Sequence, residues 1–141
     1  MSELTPQILL VDDDPDDHFF MQTVVKEFSP EIKVHSVYNG AQAMDLLLKG
    51  EDSPEENYTP DLILTDLNMP LLSGLELLKE LKKNSKLCNI PVFIISTSKN
   101  DKIESECLIH GALKYYLKPI STEDLKGIIS EVLLASGLGT V

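Results

Sequence analysis

The chain has 141 residues, 43% of them hydrophobic, and a formal net charge of −11. It is one domain's worth of sequence, long enough to bury about two-thirds of its unfolded surface. No apolar run approaches the roughly 18 residues of a bilayer span, and the acidic balance argues against a nucleic-acid-binding face or an anionic membrane surface.

The start, Met1 to Pro6, has neither the basic nor the apolar region of a signal peptide, so the expectation is one soluble cytoplasmic domain over 1–141 with a protein as its partner. Cys88 and Cys107 lack C-x-x-C spacing and read as small apolar residues of helices or their ends.

Gln7 to Val11 reads as a first buried strand. Asp14 suits an N-cap and Pro15 an N1 position, with Asp16 and Asp17 complementing the helix dipole. The helix from about 15 to 28 carries Phe19, Phe20, Val24 and Phe28 at helical spacing, taken as its apolar face. Glu31 to Val37 alternates like an edge strand. Asn39-Gly40 turns the chain, and a helix through Ala43, Met44, Leu46, Leu47 and Leu48 follows to about Gly50. Residues 51–60, acidic with Pro54, Asn57 and Pro60, read as an extended solvated loop.

Residues 61–66 are a strand apolar on both faces, ended by Asp66, and Pro70 cannot continue it. Leu75 to Lys83 is a helix and Pro91 to Ser96 a fourth buried strand. Asp101 to His110 is a weaker helix stopped by Gly111. Leu113 to Leu117 is a fifth strand, and Ser121-Thr122-Glu123-Asp124 opens a last helix through Leu125, Ile129 and Val132. Five strands alternating with five helices predict an α/β fold with helices on both faces of a parallel sheet, its core at about 7–135.

Parallel α/β sheets bind ligands at the carboxyl ends of their strands. Asp12 and Asp13 follow strand one, Asp66 ends strand three, Ser96 ends strand four, and Lys118 follows strand five. Three carboxylates in one cleft repel by about 4 kcal/mol per pair at 4 Å. A hard divalent cation relieves that cost, and Mg²⁺ favours one or two carboxylates with retained water and a phosphate.

Val11-Asp12-Asp13, Asp66-Leu67-Asn68-Met69-Pro70 with Gly74, Ile94-Ile95-Ser96-Thr97 and Lys118-Pro119, in this order and each at a strand end, resemble the receiver domain of two-component response regulators. The resemblance implies a flavodoxin-like, doubly wound (βα)5 sandwich with strand order 2-1-3-4-5. It implies that Asp66 accepts a phosphoryl group from a sensor histidine kinase or phosphotransfer protein. Mg²⁺, or Mn²⁺ in its place, would be held by Asp13, Asp66 and the backbone carbonyl of Asn68, with Asp12 acting through water. Lys118 would neutralise the phosphoryl charge, and Ser96 would hydrogen-bond it. Tyr115 stands at the aromatic switch position, although a simply packed ring is the competing reading because Tyr116 is adjacent.

Asn68 and Ser98 hold positions that tune self-dephosphorylation in the family, the only chemistry beyond its own phosphoryl transfer that the resemblance implies. Pro119 follows a peptide bond that is cis in many members. Ile120 replaces a frequent aromatic and is read as packing. Output would be a contact with a downstream protein, with homodimerisation through the last two helices and strand five. The longer 51–60 loop resembles stand-alone regulators paired with phytochrome-type kinases.

Two other readings remain. A haloacid-dehalogenase-type phosphohydrolase needs an acid two residues past the nucleophile, where Asn68 stands. A pseudo-receiver is opposed by the intact set Asp13, Asp66, Ser96 and Lys118. His18, His35 and His110 show no ligand spacing and receive no site, and Asp14, Asp16 and Asp17 are read as helix-capping charges.

Overall fold

A computed structural model of the protein describes residues 6–52, 58–98 and 100–138. The order is β1 (Gln7–Val11), α1 (Pro15–Phe28), β2 (Lys33–Val37), α2 (Gly40–Asp52), β3 (Leu62–Asp66), α3 (Gly74–Lys83), β4 (Val92–Ser96), α4 (Asp101–Ile109), β5 (Lys114–Leu117) and α5 (Thr122–Ala135). All strands pair in parallel, in the order β2-β1-β3-β4-β5, which is the predicted flavodoxin-like sheet. The chain winds outward through β1 to β2 and returns to β3, so the winding direction reverses between β1 and β3. The crevice at such a reversal lies at the strands' carboxyl ends, and Asp12 and Asp66 flank it.

The two-residue period of a strand sorts the core into two layers. Ile8, Leu10, Leu62, Leu64, Phe93 and Ile95 pack with Met21, Val24 and Val25 of α1 and Leu125, Ile129, Val132 and Leu133 of α5. Leu9, Val11, Ile63, Val92 and Ile94 pack instead under α2, α3 and α4. By the same parity Asp12 and Asp66, which follow Leu10 and Leu64 by two, belong to the α1–α5 face. Lys118 is two past Tyr116, which packs on that face.

Three expectations are corrected by the packing. In α1 the buried side chains are His18, Met21, Val24 and Val25, whereas Phe19 is 68% exposed and Phe20 and Phe28 also face outward. The i, i+3, i+7 series from His18 is the stripe that meets the sheet, and the bulkier phenylalanines had outweighed it. Next, α2 continues to Asp52, beyond the expected end at Gly50. Finally, the 51–60 segment is not wholly solvated: Tyr58 is buried with its ring 4.4 Å from that of His35, and Pro60 is buried. Residues 53–57 lie outside the described residues.

The helix ends follow the sequence signals. The Asp14 side chain accepts from the Asp16 N–H at 2.9 Å, and Ser121 accepts from the Asp124 N–H at 3.1 Å. Gly111 takes φ 112° just past α4, as a helix-ending glycine does. Among the described residues no helix is long and apolar enough to cross a membrane.

The turn from β3 to α3 is tight and strained. Leu72 N–H donates to Pro70 O at 2.7 Å, a γ-turn centred on Leu71, whose φ is 71° and whose side chain is 80% exposed. Gly74 N–H donates to Leu67 O at 2.8 Å, and a Cβ on Gly74 would lie 2.3 Å from Asp66 O. Gly74 is therefore required by the close approach of α3 to the Asp66 backbone. Opposite effects are expected in urea unfolding. Gly74→Ala should lower stability by about 1–3 kcal/mol through overpacking, and Leu71→Gly should raise it by up to about 1 kcal/mol.

Candidate functional site

Asp12 and Asp66 are nearly fully buried, while Asp13, one residue past the end of the β1 ladder, is exposed. One oxygen from each of the three lies within 4.8 Å of the others. Asp12 Oδ1 accepts from the Asp14 N–H at 2.9 Å, and Asp66 Oδ1 accepts from the Leu67 N–H at 2.8 Å. Each carboxylate is thus held in place by the backbone of its own turn.

Lys118 is brought in by a backbone bond, its N–H donating to Ser96 O at 2.7 Å, which continues the β4–β5 ladder by one step. Its ammonium lies 2.6 Å from Asp17 Oδ2, 3.1 Å from Asp12 Oδ2 and 3.4 Å from Asp66 Oδ2. The side chain is only 16% exposed, so screening by water is limited. One cation here faces four carboxylates, counting Asp13.

The titration behaviour reflects that imbalance. Burial pushes the Asp12 carboxyl up to about 7, opposed by the Asp14 N–H and by Lys118. Burial also raises Asp66 above the usual carboxylate range against the pull of Lys118. For Lys118 burial favours the neutral form, but its bonds to Asp17 and Asp12 and the surrounding negative charge prevail and hold it protonated. Asp12 Oδ2 is buried and makes no hydrogen bond of good geometry. An oxygen-only donor set of several carboxylates around one ammonium, and so short of positive charge, fits a hard divalent cation.

Ser96 is fully buried at the end of β4, beside Asp66 on the neighbouring strand, and its Oγ accepts from the Ser98 N–H at 3.3 Å. Tyr115 pairs with Ile94 and belongs to the α2–α4 layer, and its hydroxyl donates to Ser98 O at 2.8 Å. Tyr116 faces the other layer and donates to Glu131 at 3.0 Å. This register places Tyr115, not Tyr116, against the turn that carries Ser96 and Ser98. Asn68 lies exposed in the β3–α3 turn, two residues past Asp66.

Three expectations change at the site. Asp17 is not merely a capping charge, because it makes the shortest contact to Lys118. The helix begins only at Pro15, so no shared helical face ties Asp17 to Asp12 or Asp13 in the sequence, and its role shows only in three dimensions. His18 was assigned no role, yet it is buried, and its Nε2 donates to both Asp12 O at 2.8 Å and Val37 O at 3.0 Å. Its ring also packs on Tyr38 at 4.6 Å, tying the acidic turn to β2. A lone histidine carries no spacing motif, so this tie is visible only in three dimensions. Ile120 does not pack but is 98% exposed beside the site. The Lys118–Pro119 bond is trans, the majority state of X–Pro bonds.

The family model of the response regulator receiver domain matches residues 8–130. Over 128 residues the chain is 34% identical to the two-component response regulator ORR5 of Oryza sativa subsp. japonica, covering 91% of this chain and 89% of that protein. It is 28% identical to the sensor histidine kinase TmoS of Ectopseudomonas mendocina, again over 91% of this chain but only 12% of the kinase. Among solved structures, the Mn²⁺-bound form of the response regulator Rcp1 aligns with a TM-score of 0.81 at 32% identity, over 96% of each chain. The phosphorylated cyanobacterial phytochrome response regulator RcpA aligns with a TM-score of 0.79 at 31% identity, over 91% of each.

The raised Asp12 pKa sets a pH dependence in the absence of metal. A folded value near 7 against about 3.9 unfolded means that the folded state holds the extra proton between these values. The Asp12 contribution to stability is therefore complete below about pH 4 and lost as pH rises through about 7, by at most about 1.4 kcal/mol per pH unit. In metal-free protein, Asp12→Asn should flatten this decline in urea unfolding from pH 4 to 7.

Proposed function

The chain belongs to the response regulator receiver family of two-component signalling, and from that premise we propose that Asp66 is its phosphoacceptor, with Lys118, Ser96, Asp12 and Asp13 completing the site. The observation that carries this reading is the convergence of Asp12, Asp13 and Asp66 within 4.8 Å around the Lys118 ammonium.

An Asp66 carboxylate oxygen attacks the phosphorus of a phosphohistidine. The P–O bond forms as the P–N bond breaks, and the imidazole leaves with the electron pair. Asp13, Asp66 and the Asn68 carbonyl would hold Mg²⁺, or Mn²⁺ in its place, with Asp12 acting through water. That cation supplies neutralisation of the phosphoryl oxygens. Lys118 contributes the charge already present in the cleft, and Ser96 offers its hydroxyl once its bond from the Ser98 N–H is released. Tyr115, bonded to Ser98 O, would then exchange that bond for an inward rotamer. Asn68 and Ser98, at the cleft's rim, set the rate at which water hydrolyses the acyl phosphate.

Receiver domains exchange phosphoryl groups with kinases or phosphotransfer proteins, and similarity to RcpA supports a phytochrome-type kinase as the donor. The reading is of a cytoplasmic receiver domain with a downstream protein target and no nucleic acid. Leu108, Ile109, Leu113 and Leu117 are all exposed on α4, β5 and the turn between them. Four exposed apolar side chains within one α4–β5 unit support homodimerisation through this part of the molecule.

Intact mass after incubation with acetyl phosphate and Mg²⁺ tests the acceptor. A hydroxylamine-labile gain of one phosphoryl group is expected in the wild type and none in Asp66→Asn, and retention of the gain in that variant would refute the assignment. Beryllofluoride at micromolar protein should raise the sedimentation coefficient, and Ile109→Glu should abolish the rise. An unchanged coefficient in the wild type would remove the dimer.

A further inference from the structure

From one position the Lys118 ammonium contacts three carboxylates unequally. In the structure its ammonium is closest to Asp17, at 2.6 Å, and that contact also has good hydrogen-bond geometry. Asp66, the oxygen it would have to serve during phosphoryl transfer, is 3.4 Å away. Asp12 lies between these at 3.1 Å.

The three partners differ in what they lose when the lysine moves. Asp12 and Asp66 are buried, and a buried carboxylate left without a cation is costly. Asp17 is 29% exposed on the first turn of α1, so water can take over when its bond to Lys118 breaks. It also borders a cavity of about 200 Å³ between α1 and the turn after β5, lined with Phe20, Met21, Pro119 and Ile120, which leaves room for the pair to separate. Asp17 is therefore the partner that holds Lys118 tightly at rest and releases it at little cost.

We propose that Asp17 is a positioning residue, a latch that draws the Lys118 ammonium towards α1 and keeps Asp66 its longest contact until a phosphoryl group recruits it. The proposal rests on the reading of Asp66 as the acceptor. A phosphoryl group on Asp66 brings about two negative charges and several acceptor oxygens into the cleft, and the ammonium moves towards them. The Asp17 bond opposes that movement. Neutralising Asp17 should favour the phosphoryl-bound state, even though it removes an ion pair from the resting one.

Calorimetric titration with beryllofluoride in saturating Mg²⁺ tests the latch on wild type, Asp17→Asn, Asp17→Ser and Asp16→Asn. Asp16 is exposed on the same helical turn, so Asp16→Asn makes the same charge change without touching the lysine. Both Asp17 variants should bind on the order of three- to fivefold more tightly than wild type, as loss of a partly exposed ion pair allows, and Asp16→Asn should not. In metal-free protein, the Lys118 ammonium signal in proton–nitrogen spectra, assigned with Lys118→Arg, should shift in Asp17→Asn and stay in place in Asp16→Asn. Unchanged or weaker binding by the Asp17 variants overturns the latch, as does an equal gain in Asp16→Asn. Wild type that binds no beryllofluoride overturns the Asp66 assignment and the latch with it, whereas wild-type binding with no Asp17 effect overturns the latch alone.

Discussion

A single ammonium, from Lys118, lies among the carboxylates of Asp12, Asp17 and Asp66, and the arrangement of the whole cleft follows from that shortage of positive charge. The β4–β5 ladder carries Lys118 to the mouth between β1 and β3, and the packing of α1 on the sheet brings Asp17 to it. Burial raises both Asp12 and Asp66, so the resting site is held together while still lacking a cation. A structure that only needed stability would not place three acids there, since buried like charges repel and lose water. The deficit makes sense as a site completed by a metal and a phosphoryl group.

The sheet makes that concentration of charge tolerable. β1, β3 and β4 are buried on both faces, which anchors the turns at their ends to a rigid core. Parity then assigns functions to faces. Asp12, Asp66 and Lys118 share the α1–α5 face, which is why an α1 residue, Asp17, reaches the lysine. Ser96, in phase with Ile94, and Tyr115 belong to the other layer and meet at the Ser98 turn. The carboxylates of one face and the Ser96 and Tyr115 hydroxyls of the other are thus joined through the end of β4. The strain at Leu71 and the close contact of Gly74 with Asp66 fix the third wall, so α3 begins directly beneath Asp66.

Much of this was legible in the chain. The element order and the parallel sheet follow from apolar runs ended by polar residues, whereas the convergence of Asp12, Asp13, Asp66, Ser96 and Lys118 rested on the strand order that the family resemblance implies. The caps at Asp14 and Ser121 were readable for a similarly local reason: a side-chain oxygen satisfies a helix N–H two or three residues away. The face of α1 was misjudged because two helical registers compete in Phe19-Phe20-Met21, and side-chain bulk alone cannot decide between them. Ile120 was misplaced because a residue between Pro119 and the Ser121 cap has no periodicity from which to read its direction.

Local patterning therefore determined the strands, the helices and which residues end each strand, since hydrophobic period, capping and turn chemistry act within a few positions. Only the tertiary structure decided how those residues are paired. Asp17 and Lys118 are 101 residues apart, and the bond between them exists because α1 and α5 cover the same side of the sheet. The contacts of His18 to Asp12 and Val37, and the turning of Tyr115 towards Ser98, depend likewise on strand register and on helices laid across the sheet. Such contacts join segments distant in sequence, and their geometry is settled only once the whole core has packed.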